Sequence, residues 1–149
     1  MNNIAIASDH GGYDLKNEVI GYLKEMGYSY HDFGCYDKKS VHYPDYANKV
    51  SQAITEKEFE CGILICGTGI GMSIAANKVK GIRASLCHDS FSARMTREHN
   101  DSNVLTMGGR VIGIGLAKDI VKTWLNTEFS RESRHIVRLQ KIDKIYGNC

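Results

Sequence analysis

The feature that most constrains this chain is an alternation. Five short apolar runs, "NIAIAS" (3–8), "YSYHDFG" (28–34), "GILIC" (62–66), "IRASLC" (82–87) and "NVLTMGG" (103–109), are each followed by a helix-like stretch. Leu15, Val19, Tyr22, Leu23 and Met26 form the first helical stripe, which stops at Gly27. Ala47, Val50, Ala53 and Ile54 form the second, behind Pro44 at a helix start. "GMSIAANKV", "SFSARMTREHN" and "GLAKDIVKTWLNTEF" supply the next three. Continuously apolar strands need cover on both sheet faces, so the pattern predicts a five-stranded parallel sheet in a three-layer α/β/α sandwich. A sixth helix over about 130–146, carrying Ile136, Leu139, Ile142 and Ile145, has no strand to follow it. It is expected to cover a sheet face or to reach a second subunit. With no repeat or composition break, residues 1–149 read as one domain.

Composition excludes several classes. A formal charge of +2 gives no footing for nucleic acid or an anionic membrane. No run approaches the roughly 18 apolar residues of a membrane span. The start "MNNIAIASDH" lacks the basic end and long apolar core of a signal peptide, so a cytoplasmic location is expected. The cysteines at 35, 61, 66, 87 and 149 are odd in number and form no CxxC. The histidines at 10, 31, 42, 88, 99 and 135 form no HExxH. Free thiols and no metal site are expected.

Ligands of parallel sheets sit at the carboxyl ends of strands. Those ends read Asp9-His10, Asp32, Cys66-Gly67-Thr68, His88-Asp89 and Gly108-Gly109-Arg110. Glycines 67, 69 and 71 let backbone amides point inward at a helix start, a nest for an anion or for an oxyanion that forms during reaction. A thiol at that rim has its thiolate favoured and can serve as a base near neutrality; the bland reading of Cys66 is a buried, inert thiol. "GTGIG" is not a phosphate-binding Walker loop, because Lys78 lies too far on and no GK[ST] follows. As a dinucleotide fingerprint it has Asp89, 22 residues after Gly67, but Met72 leaves the third glycine misplaced. His10 reads as a site residue or as a neighbour of a helix cap. His99, beside Asn100 at a helix end, reads as a site residue or as a cation facing the helix dipole. Arg134 and Arg138 share one helix face, as a clamp for phosphate or as a solvated stripe.

The segments "SDHGGYDLK", "YPDYA", "ICGTGIGMSIAANKVKGIRA", "ARMTREHNDSNVLTMGGR" and "SRHIVRLQKI" resemble the RpiB/LacAB sugar-phosphate isomerase family over essentially the whole chain. The resemblance implies a Rossmann-like fold, no cofactor, no metal, and a homodimer or dimer of dimers with active sites between subunits. It implies interconversion of ribose 5-phosphate and ribulose 5-phosphate, with allose 6-phosphate or galactose 6-phosphate as alternative substrates. Cys66 then matches the base that moves a proton between C1 and C2. Thr68 matches a hydroxyl that helps hold the substrate during ring opening, and His99 the acid/base that opens the furanose. Asp9 resembles a holder of sugar hydroxyls; His10, Arg134 and Arg138 resemble the phosphate group's partners. Gly67, Thr68, Gly69, Ile70 and Gly71 form the enediolate loop, and Asn100 and Arg110 complete the pocket, with some of these residues coming from the neighbouring subunit. One branch of the family uses a glutamate where this chain has Ala75, which places it in the cysteine branch. The galactose enzyme divides its catalytic residues between two related subunits; both Cys66 and His99 in one chain favour a self-sufficient homo-oligomer. A sugar-phosphate-binding module without catalysis would need neither of that pair.

Overall fold

The computed structural model describes residues 3–145. Along the chain it runs β1 (Asn3–Ser8), α1 (Tyr13–Glu25), β2 (Ser29–Asp32), α2 (Tyr43–Thr55), β3 (Cys61–Cys66), α3 (Ile70–Ala76), β4 (Ala84–Leu86), α4 (Ser90–Asn100), β5 (Val104–Gly108), α5 (Ile114–Asn126) and α6 (Ser133–Ile145). The five strands form one parallel sheet in the order β2-β1-β3-β5-β4. The expected Rossmann-like α/β/α sandwich is what the chain builds. Cys149 lies outside the described residues.

Successive residues of a strand face opposite ways, and here each face has its own core. Ile4, Ile6, Ile63, Ile65, Leu105 and Met107 pack against Leu15, Val19 and Leu23 of α1, Ala93 of α4, and Ile120, Val121 and Trp124 of α5. Ala5, Ala7, Leu64, Cys66 and Val104 pack against Ala47, Val50 and Ile54 of α2 and Met72 and Ala76 of α3. All six residues of β3 are buried, which is why that run carries no polar alternation. Each fully buried Ile or Leu there contributes roughly 1.5–3 kcal/mol.

The edge strands are shorter than the apolar runs suggest. At β4 the reason is local: Asn77 takes the place of a neighbouring strand. Its side chain accepts from the Ala84 N–H and donates to the Ala84 carbonyl, both at 2.8 Å. The last helix is also less covered than its stripe implies. His135 and Leu139 are buried, whereas Ile136, Val137, Ile142 and Ile145 remain exposed.

The strand order decides where a ligand can sit. β1 and β5 send their following helices to one face, while β3, between them, sends α3 to the other. A crevice therefore opens on either side of the β3 carboxyl end. Cys66 is the last residue of that strand.

Candidate active site

Three loops meet at this point, and backbone hydrogen bonds join them. Asp9 N–H donates to the Ile65 carbonyl at 3.1 Å, Gly109 N–H to the Cys66 carbonyl at 2.8 Å, and Arg110 N–H to the Gly67 carbonyl at 3.0 Å. The fit leaves no room for side chains at two places. Gly69 has φ +78°, and a Cβ there would stand 2.7 Å from the Met107 carbonyl carbon. At Gly109 a Cβ would stand 2.8 Å from the Gly11 carbonyl oxygen. The glycines are thus needed for a positive φ and for close approach of one backbone to another.

Within this cluster the Cys66 sulfur accepts a hydrogen bond from the Gly69 N–H at 3.1 Å. The amide fixes the sulfur at the mouth of the glycine loop, where Cys66 is 5% exposed. Thr68 is exposed; its hydroxyl accepts from the Ile70 N–H at 3.3 Å, and its carbonyl lies 3.3 Å from His88 Nε2. The Asp9 carboxylate accepts from the Gly11 and Gly12 amides at 2.8 and 3.1 Å, which shapes the turn into α1. His10 Nδ1 accepts from the Val41 N–H at 3.3 Å. The Arg110 guanidinium lies against Gly11 and Gly67. Asp9, His10, Cys66, the loop from Gly67 to Gly71 and Arg110 are therefore one assembly.

The remaining sequence-predicted residues lie elsewhere. α4 leaves the carboxyl end of β4 and runs back, so His99 and Asn100 arrive at the opposite edge of the sheet. The Asn100 carbonyl accepts from Arg83 Nε at 3.1 Å, and Arg83 immediately precedes β4. The register sets Ala84 beside Val104 and Val104 beside Gly62, so Arg83 stands level with Cys61. That is five residues below Cys66, or roughly 16 Å along the sheet. His99 packs against His135 of α6, with ring centroids 4.4 Å apart. His135 Nδ1 pairs with the Ser130 hydroxyl at 2.7 Å. Burial, then the neighbouring His99, hold the His135 imidazole below its usual range. Arg134 and Arg138 flank His135 on the same helix and are exposed; Arg134 pairs with Glu132 at 2.8 Å. His99, Asn100, Arg134 and Arg138 form a second group, which one chain does not bring to Cys66.

The structure adds one residue and removes a rival. The Tyr43 ring, at the start of α2, lies over Gly71, 2.7 Å from where a Cβ would stand. Its place in "YPDYA" was the available signal, but a tyrosine before proline reads as a helix start. Asp89 has both carboxylate oxygens engaged in capping α4, by the Ser92 N–H at 2.7 Å and the Ser92 hydroxyl at 2.8 Å. These bonds hold it below the usual carboxylate range. It also stands at the end of β4, separated from β3 by β5, which is the wrong place for a ribose-holding acid. Cys61 and Cys87 are ordinary core thiols, each pushed up to about 12, mainly by burial.

A cysteine held at a glycine-lined switch point, with Arg110 and His10 in the same assembly, defines a class: α/β proteins that bind an anionic ligand at strand ends and can move its protons. The chain matches the Ribose/Galactose Isomerase family over residues 4–142. It is 46% identical to ribose-5-phosphate isomerase B of Escherichia coli, with 97% of each chain covered. It is 47% identical to the D-erythrulose-4-phosphate isomerase of Pectobacterium atrosepticum, covering 87% of this chain and 86% of that one. Among solved structures, ribose-5-phosphate isomerase B of Clostridium thermocellum superposes with a TM-score of 0.95 at 54% identity, with 97% of each chain covered. The chain belongs to the ribose/galactose isomerase family, and it is an isomerase.

Proposed function

We propose that this chain interconverts ribose 5-phosphate and ribulose 5-phosphate, at sites each built from two copies of itself. The observation that carries the reading is the Cys66 sulfur, held by the Gly69 amide at the mouth of the glycine loop. Aldose–ketose isomerisation needs a base over C1 and C2, donors for the developing oxyanion and a remote hold on the phosphate. The Cys66 thiolate takes the C2 proton of the open aldehyde, and the charge passes to O1. The glycine loop from Gly67 to Gly71 borders that enediolate. Once the O2 proton has moved to O1, the thiol returns its proton to C1 and the C2 ketone forms. Each step reverses in the other direction.

The substrate arrives largely as a closed ring, and opening it is assigned to His99, which moves a proton between the anomeric hydroxyl and the ring oxygen. Asp9 and Asn100 hold sugar hydroxyls, with Thr68 steadying the chain as it opens. His10, Arg134 and Arg138 hold the phosphate, and Arg110 closes the pocket beside the glycine loop. Within one chain His99, Asn100, Arg134 and Arg138 stand at the wrong edge of the sheet for this work. A neighbouring copy, in a homodimer or dimer of dimers, supplies them. The exposed apolar residues of α6 suit burial against such a copy. We place the enzyme in the cytoplasm, where free thiols such as Cys35, Cys61, Cys66 and Cys87 stay reduced.

A second reading has a specific basis. The erythrulose-phosphate relative is 47% identical and the ribose-phosphate relative 46%, so relatedness alone does not choose the sugar. The test is a side-by-side measurement of kcat/KM for ribose 5-phosphate, D-erythrulose 4-phosphate, allose 6-phosphate and galactose 6-phosphate, with no added cofactor. Ribose 5-phosphate is expected to lead. Losing to any of the others by about tenfold or more would overturn the substrate assignment.

A further inference from the structure

Lys16, in α1, takes no part in the chemistry above, yet its side chain is only 1% exposed. Among the described residues it is the only buried lysine. An ammonium in such a place needs all three hydrogens engaged. Nζ donates to both carboxylate oxygens of Asp32 at 2.7 Å and to the Cys35 carbonyl at 2.6 Å, with the Tyr36 ring centroid 5.3 Å away. Asp32 also accepts from the Gly34 N–H at 2.9 Å, and the Tyr36 hydroxyl donates to the Asp32 carbonyl at 2.8 Å. One ion pair, buried at Lys16 and partly exposed at Asp32, thus fastens the start of the β2–α2 loop, residues 33–42, to α1. An apolar pair would fill the same space without the desolvation cost, so what the charges add is a fixed geometry.

That geometry leads to the substrate site. Ser8 N–H donates to the Gly34 carbonyl at 2.6 Å, and Cys35 N–H to the Ser8 carbonyl at 2.8 Å, directly before Asp9 and His10. Farther along the loop, Val41 N–H donates to His10 Nδ1 at 3.3 Å. A ring nitrogen that accepts a hydrogen bond carries no proton, so the neutral imidazole has its N–H at Nε2. Two residues later comes Tyr43, which lies over Gly71.

We propose that Lys16 is a positioning residue for the sugar-phosphate site: with Asp32 it locks the β2–α2 loop, so that the Val41 amide holds His10 as an Nε2–H donor for the phosphate. The proposal rests on the reading of His10 as a phosphate contact. Lys16→Met alone would leave the Asp32 carboxylate without its partner and endanger folding. Lys16→Met/Asp32→Asn removes both charges and keeps an acceptor for the Gly34 N–H. Two readouts separate the possibilities: the nitrogen NMR signature of the His10 ring in the free protein, and inhibition by inorganic phosphate alongside kcat and KM.

The wild-type His10 ring should show the Nε2–H tautomer. In the folded double variant it should become a mixture of tautomers. KM and the phosphate inhibition constant should rise together by about 5- to 10-fold, with kcat changed less than about twofold. Asp32→Asn alone should move the same readouts in the same direction by less. An unchanged His10 signature in either folded variant would overturn the proposal and leave Lys16 a stability element. A lost tautomer with unchanged phosphate inhibition would leave the positioning intact and overturn His10 as a phosphate contact.

Discussion

The two groups of site residues are built in different ways. At the carboxyl ends of β1, β3 and β5, backbone packs on backbone. Glycines allow the approach, the Gly69 amide donates to the sulfur, and Cys66 is 5% exposed. At the opposite edge, His99, Asn100, Arg134 and Arg138 are side chains on the surfaces of α4 and α6. Arg134 is 61% exposed, and its bond to Glu132 is of a kind worth roughly 0–1 kcal/mol, readily exchanged for a phosphate. The first region is preorganised by the fold of one chain. The second has its backbone fixed but its charged side chains free for a ligand. On the proposed reading, the proton shift between C1 and C2, which depends on sub-ångström placement, belongs to the first, and ring opening with most of the hold on the phosphate belongs to the second.

That contrast is open to attack from either side. The largest effect should come from the preorganised region: Cys66→Ala should lower kcat by about 100-fold or more with KM little changed. Retained exchange of solvent protons at C1 or C2 in that variant would assign the base elsewhere. Next is His99→Asn, whose loss should approach about 100-fold on the ring-closed sugar phosphate. The loss should be much smaller on substrate supplied open-chain; equal losses on both would remove the division of labour. Arg138→Ala should cost about tenfold or more, mostly in KM, with phosphate inhibition weakened in parallel. Unchanged inhibition would return that arginine to the solvated surface.

The smallest effect tests the support behind His99. Because His135 is held below the ordinary histidine value of 6.5, the folded state binds fewer protons there than the unfolded one. Its stabilising share is present above pH 6.5 and is lost as the pH falls below it. The Tm should therefore be lower at about pH 5.5 than at about pH 7.5, and His135→Gln should flatten the difference. An equal slope in both proteins would remove His135 as its source.

Much of this was legible in the chain. Buried parallel strands cannot hide their apolar runs, so the alternation gave the sandwich, and the strand ends gave the Cys66 assembly. The strand order left no such trace, because inserting β5 between β3 and β4 changes the neighbours of each strand but not its pattern. β4 shrank to three residues because the Asn77 side chain does the work of a strand edge. The Lys16–Asp32 pair joins residues 16 apart in sequence that look like two ordinary surface charges. The separation of His99 from Cys66 follows from topology once it is asked for. A residue closing the helix after a parallel strand returns to that strand's starting edge, whereas Cys66 stands at a finishing one.

Whether two chains share each site is best decided by mixing two lesions. Cys66→Ala and His99→Asn, each expected to be impaired about 100-fold alone, would be combined as differently tagged subunits and allowed to exchange. In a mixed dimer one site inherits both lesions and the other inherits neither. Shared sites should therefore restore about a quarter of wild-type activity at random assortment. Sites confined to single chains would restore none, and that result would contradict the account.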